Sequence, residues 1–150
     1  MENALETYTD PVLGILEWQP KYEWWFQQRK LASGRQLDVI IDSGHVDRHV
    51  FLSRAAELVE WALQNERHAL ADAVREELLD LYNDVWRNED ESKLDADEFV
   101  SRLEWQLLHL SDSPLVPVEL SYEAGEMFGG HGVTVQLDAA LRFRSIDLRG

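Results

Sequence analysis

The sequence predicts an α+β fold: an N-terminal antiparallel meander, central helices and C-terminal antiparallel strands, in one domain spanning 1–150. Three observations predict it. In the first and last thirds apolar and polar residues alternate, the period-two signature of half-buried strands. In the middle third apolar residues recur at threes and fours, as on an amphipathic helix. No linker, internal repeat or low-complexity segment separates these regions. A chain of 150 residues that is 45% hydrophobic is also long enough to bury one shared core.

Taken in order, "GILEWQ" and "EWWFQQRKL" read as two strands separated by Pro20-Lys21-Tyr22. Ala32-Ser33-Gly34-Arg35 supplies the next turn. In the third strand, "QLDVIID", Leu37, Val39 and Ile41 face one way while Asp38, Ile40 and Asp42 face the other. Asp42-Ser43-Gly44 ends it. Trp24-Trp25-Phe26 must send alternate rings to opposite sheet faces, which puts at least one large ring outside the main core unless helices cover both faces.

The helical stripes are Phe51, Ala55, Leu58, Val59 and Ala62, then Leu70, Val74, Leu78, Leu81 and Val85. Asn65, between them, is a candidate cap for a second helix. A third, short helix opens at Asp95-Ala96-Asp97-Glu98, a capping-box pattern with Asp95 as cap, and Leu94 and Phe99 stand at its staple positions. "VPVELSY" then alternates Val116, Val118, Leu120 and Tyr122 against Pro117, Glu119 and Ser121. Pro117 cannot donate to a ladder, so an edge strand or a bulge is expected. "GVTVQLD" alternates Val133, Val135 and Leu137 with polar residues, and Asp138-Ala139-Ala140 turns the chain into "LRFRSIDL".

Charge narrows the function classes. With 14 basic and 29 acidic residues the net charge is −15. Such a surface repels nucleic acid and anionic lipid and steers basic partners toward it. There is no cysteine, which excludes disulfides and thiolate metal sites. "MENALETYTDPVLG" has neither a basic nor an apolar leader segment, and no run approaches the ~18 apolar residues of a spanning helix. A soluble, cytoplasmic protein is expected, with no membrane or nucleic-acid partner.

Chemistry-bearing residues are few. "EMFGGHGVTVQLD" sets His131 among glycines before a strand. A phosphate loop needs a following helix and a lysine, and neither is here. His131 is either a general base, which would need an orienting partner, or a ring in a tight bend. In the second case Gly129, Gly130 and Gly132 permit positive φ or close approach and the ring hydrogen-bonds locally. "HVDRH" spaces His45 and His49 by four, as two ligands on one helical face, but Val46 stands where a zinc protease has glutamate, and Gly44 puts the helix start too close. The serines lack a nucleophile-elbow context. No catalytic residue, cofactor or metal is assigned.

The acids are better patterned. Asp72, Glu76, Asp80 and Asp84 recur every four residues, opposite the second apolar stripe. Like charges at that spacing each cost a few tenths of a kcal/mol. "EDESKLDADE" follows, with six acids, among them Glu89, Asp90 and Glu91, against one lysine, a net −5. A solvated face and a recognition surface both fit this pattern.

The stretches Leu13-Gly14-Ile15-Leu16-Glu17-Trp18, Asn83-Asp84-Val85-Trp86 and Phe128-Gly129-Gly130-His131-Gly132-Val133 resemble the motifs LG-x-L-x-W, N-D-x-W and F-x-G-H-x-I/V. These motifs belong to an uncharacterised bacterial domain-of-unknown-function family, number twenty-two sixty-two. Gly132 stands where that family often has serine, which weakens any scheme using the hydroxyl. The resemblance implies the α+β domain and no established activity. The expected function is an acidic protein-binding module rather than an enzyme. Its partner would be basic, most specifically a nuclease-type toxin that this chain neutralises as an immunity protein, and Asp72, Glu76, Asp80, Asp84, Glu89, Asp90 and Glu91 would bind it. The alternative is a small hydrolase or metal-dependent enzyme centred on the Gly-Gly-His-Gly turn.

Overall fold

A computed structural model describes residues 6–44 and 46–149. Eight strands form one mixed sheet: β1 (Thr7–Asp10), β2 (Gly14–Gln19), β3 (Trp24–Lys30), β4 (Gln36–Asp42), β5 (Glu104–Ser111), β6 (Val118–Glu123), β7 (Gly132–Leu137) and β8 (Phe143–Arg149). Their order across the sheet is their order in sequence. Every neighbouring pair is antiparallel except β4 and β5, which run parallel, Asp38 opposite Leu107 and Ile41 opposite Leu110. The two antiparallel groups expected from the sequence are therefore halves of a single sheet. The fold is mostly sheet rather than an even balance of strand and helix.

Parallel neighbours need a long crossover, and the middle third supplies it. One long helix runs from 52 to 86, with α-helical segments Leu52–Ala73 and Leu79–Leu81 and two π-helical ones, Val74–Leu78 and Tyr82–Trp86. A short helix, Ala96–Ser101, leads into β5. Two long helices were expected, with Asn65 as candidate cap of the second, and this is corrected. "ALQNERHALA" has no breaker and is rich in strong helix formers, so Asn65 stays inside the helix and donates its Nδ2 to the Trp61 carbonyl at 2.8 Å.

The helix lies on β5 and β8. Its face of the sheet carries Leu37, Val39 and Ile41 from β4, Leu108 and Leu110 from β5, Leu120 from β6 and Val135 from β7, all fully buried. Trp25 is buried with them, while Trp24 and Phe26 are half-buried on the opposite face. The expected ring outside the main core is thus two rings.

Three more sequence expectations change. β1 and β5 carried no clear strand signal: β1 is a short edge, and "EWQLLHLS" has a bulge between Trp105 and Leu107 that breaks its alternation. β6 lies between β5 and β7, not at an edge. Pro117 is tolerated because it precedes the strand and only accepts, from the Ser111 N–H at 3.0 Å. Val85, the last residue of the second stripe, is 68% exposed, and Tyr82 is buried instead. A π-turn takes about one residue more than an α-turn, so the apolar face follows Leu70, Val74, Leu78 and Tyr82 in steps of four.

The short helix begins as its sequence dictates. Asp95 Oδ1 accepts from the Glu98 N–H at 2.8 Å, and Glu98 Oε1 accepts from the Asp95 N–H at 3.2 Å. Both bonds are exposed, so Asp95→Ala is expected to cost on the order of 1 kcal/mol. A urea midpoint unchanged by the substitution would leave the box without energetic weight.

Candidate functional site

Two of the three motif stretches meet at the C-terminal end of the long helix. The second π-turn closes there, the Arg87 N–H donating to the Tyr82 carbonyl at 2.7 Å. Asn83 then acts as a surrogate strand for the loop that follows. Its Oδ1 accepts from the Leu94 N–H at 3.0 Å and its Nδ2 donates to the Leu94 carbonyl at 2.9 Å. Arg87 caps the helix end, its Nε donating to the Asn83 carbonyl at 3.1 Å and its Nη1 to the carbonyls of Asn88 and Glu91. A cation on the last carbonyls also suits the negative end of the helix dipole.

The glycine turn packs against this end. Trp86 meets Phe128 edge-on at 5.9 Å between ring centroids and His131 at 6.0 Å. Gly129 has φ +64°, and a Cβ there would come within 3.2 Å of Trp86 Cζ3. The glycine thus serves both a left-handed turn and the close approach of an indole. The His131 main chain bonds locally, its N–H donating to the Phe128 carbonyl at 3.1 Å. Its ring does not: Nδ1 is buried with no hydrogen-bond partner among the described residues. The expected local side-chain bond is corrected: the ring's neighbour is the Trp86 indole, which meets it edge-on.

Beside this contact opens a cavity of about 500 Å³. Tyr82, Trp86, Asn88, Glu91, Arg102 and Glu126 line it. The Glu91 carboxylate accepts from Tyr82 Oη and from Asn88 Nδ2, both at 3.3 Å. Burial, and then the nearby Glu91 charge, raise the Tyr82 pKa, so the phenol stays a donor.

The acidic residues fall where the spacing placed them. Glu76, Asp80, Asp84, Glu89, Asp90 and Glu91 are exposed and Asp72 is half-buried. In a regular α-helix a four-residue step drifts by about 40°. The π-turns at Val74–Leu78 and Tyr82–Trp86 reduce that drift, so the acids keep to one side of the helix, which ends at the cavity. Arg75 pairs with Asp72 at 2.8 Å and Lys93 with Asp84 at 3.4 Å. Glu76 and Asp80 have no cation at ion-pair distance among the described residues.

The histidine pair gives nothing of this kind. His45 lies outside the described residues, and the His49 ring packs on Tyr8 at 4.9 Å and Trp25 at 5.5 Å. No group of three or more His, Asp or Glu that could hold a metal occurs among the described residues.

Sequence reasoning missed a second cluster, on the sheet face away from the long helix. Register aligns His109 of β5, Glu119 of β6, Gln136 of β7 and Ser145 of β8 in one row. Ser145 donates to Gln136 at 2.6 Å, and Gln136 and Arg149 both donate to Glu119 Oε2 at 3.2 Å. His109 sits between Glu119 at 3.9 Å and Asp42 at 3.8 Å, with Trp24 edge-on at 5.6 Å. Burial lowers the His109 pKa below 6.5, outweighing the two carboxylates that raise it. Only the assignment of β5 as a strand would have put this histidine in line with those acids.

The fold and site define an acidic protein built on one mixed eight-stranded sheet, in which a π-turned helix end meets a glycine turn. The chain belongs to the family described as "Uncharacterized protein conserved in bacteria (DUF2262)", whose model matches residues 10–148. No curated protein and no solved structure matches it. No helix among the described residues is long and apolar enough to cross a membrane.

Gly129→Ala combines a left-handed φ with a tight indole contact and should cost about 1–2 kcal/mol in urea denaturation. A loss no larger than that of Gly34→Ala, where φ is +89° with nothing within 4 Å, would show that the Trp86 contact adds nothing. For His109, the unfolded chain binds its proton first as pH falls, so the folded state loses stability below about pH 6.5. Wild type should therefore lose stability relative to His109→Gln as pH falls through about 6.5. A relative gain on acidification would mean that Asp42 and Glu119 dominate over burial.

Proposed function

We propose that this protein is an acidic protein-binding module and that the ridge, with the end of the long helix, receives a basic protein partner. The most specific form of the proposal is an immunity protein that acts in the cytoplasm and neutralises a basic, nuclease-type bacterial toxin. One observation carries it: exposed carboxylates at four-residue spacing, without an ion-pair partner among the described residues at Glu76 and Asp80, lead along the helix to exposed Val85 and Trp86. Charge steers encounter and sets register, while exposed aromatic and aliphatic groups anchor the complex once it forms. A toxin surface that binds nucleic-acid phosphates would present the lysines and arginines that such a ridge attracts. Occupying that surface would block the toxin's access to nucleic acid.

The alternative enzyme centred on His131 has less support. A general base needs its second ring nitrogen oriented by an acceptor, and Nδ1 finds none among the described residues.

Glu76→Gln, Asp80→Asn and Asp84→Asn together should relieve repulsion and stabilise the isolated protein slightly. Association with a basic toxin domain encoded beside this chain should slow and lose much of its salt dependence. Stopped-flow association rates across an ionic-strength series measure both. Equal rates and equal salt slopes for wild type and triple variant would make the ridge a solvated face.

A further inference from the structure

We infer that the cavity at the end of the long helix is a socket for one guanidinium group, an arginine side chain of the basic partner. The inference rests on the proposed partner-binding role of the neighbouring ridge and names what enters beside it. Three features of the cavity fit a planar cation. The Glu91 carboxylate is held by Tyr82 Oη and Asn88 Nδ2, at 3.3 Å each, yet no cation stands at ion-pair distance from it among the described residues. Glu126, on the loop before the glycine turn, also lines the cavity and is likewise without an ion-pair partner among the described residues. Trp86 is fixed by Phe128, His131 and Gly129 and keeps 37% of its surface exposed. A guanidinium can lie on an indole while its N–H groups fork toward a carboxylate. A lysine ammonium, a point charge, would use the wall less fully. Because the ring and the Glu91 carboxylate are held in place beforehand, little ordering is needed on binding.

Arg102 lines the same cavity and has no ion-pair partner among the described residues, which gives the inference a sign. Its positive charge opposes a cationic occupant and would favour an anionic one.

The probe is Nα-acetyl-arginine amide, with the citrulline analogue as a neutral control of the same shape. Binding is read from the indole N–H cross-peaks of the six tryptophans in a proton–nitrogen correlation spectrum, with Trp86 assigned through Trp86→Phe. The arginine probe should shift the Trp86 peak saturably and leave the other five in place, which also reports an intact fold. Citrulline should bind about tenfold more weakly, a loss of roughly 1.4 kcal/mol. Glu126→Gln should weaken the arginine probe and Arg102→Gln should tighten it, each by about threefold. An unmoved Trp86 peak, equal binding of citrulline, or weaker arginine binding in Arg102→Gln would overturn the inference. The triple ridge variant should bind the capped amino acid within about twofold of wild type. If the probe fails while partner association keeps its salt dependence, the socket is wrong and the ridge stands. If the probe binds while ridge neutralisation leaves association unchanged, the socket stands without the ridge.

Discussion

The parallel pairing of β4 with β5 is the constraint on which the other features depend. β1 to β4 and β5 to β8 are each antiparallel and could each be closed by short turns. Joining them edge to edge in parallel means that the chain leaving Asp42 must travel back along the sheet before it can enter β5 at Glu104. The long helix makes most of that journey, and the loop and short helix complete it. An antiparallel junction would have needed only a hairpin, and one sheet face would have had no cover. Because the crossover lies on a single face, the other face is left to a polar row in which His109, Glu119, Gln136 and Arg149 satisfy one another.

The two π-turns follow from how the helix must end. An α-helix whose residues step by four turns slowly away from its own contact line. Leu70, Val74, Leu78 and Tyr82 step by four, and all four are buried. Underwinding keeps them over the sheet. The same underwinding turns Val85 to solvent and lines up Glu76, Asp80 and Asp84 on the outer face. The two π-turns therefore bear on the end of the core, the side of the helix that carries the acids and the exposure of the helix tip.

Much of this could be read from the residues. β2, β3, β4, β7 and β8 declare themselves by alternation and by their turns, and the capping box at Asp95 forms as written. The family motifs were visible as motifs. That Asn83 holds Leu94 and that Gly129 admits Trp86 was not visible, because both are contacts between segments far apart in sequence. β5 was hidden by its own bulge, and with it went the parallel junction and the alignment of His109 with Asp42 and Glu119. Val85 was misplaced because a stripe drawn at threes and fours assumes an unbroken α-helix. His131 was judged correctly as to its glycine-dependent turn and incorrectly as to its ring, which meets an indole rather than an acceptor.

The acids differ in how firmly they are held, and that difference bears on what they do. A surface that only confers solubility gains nothing by fixing its carboxylates, since mobile charges hydrate as well as fixed ones. Glu89 and Asp90 fit that description. Glu91 does not. Two side-chain donors order it, one of them a buried phenol, and Arg87 holds its main chain. Ordering a carboxylate costs conformational entropy, and no cation stands at ion-pair distance from this one among the described residues. What an oriented, unneutralised carboxylate offers is direction: an incoming donor meets an acceptor already in place, and the cost of arranging it falls on folding rather than on binding. Glu91 lines the cavity together with Trp86. Its geometry, and not only its charge, favours a partner.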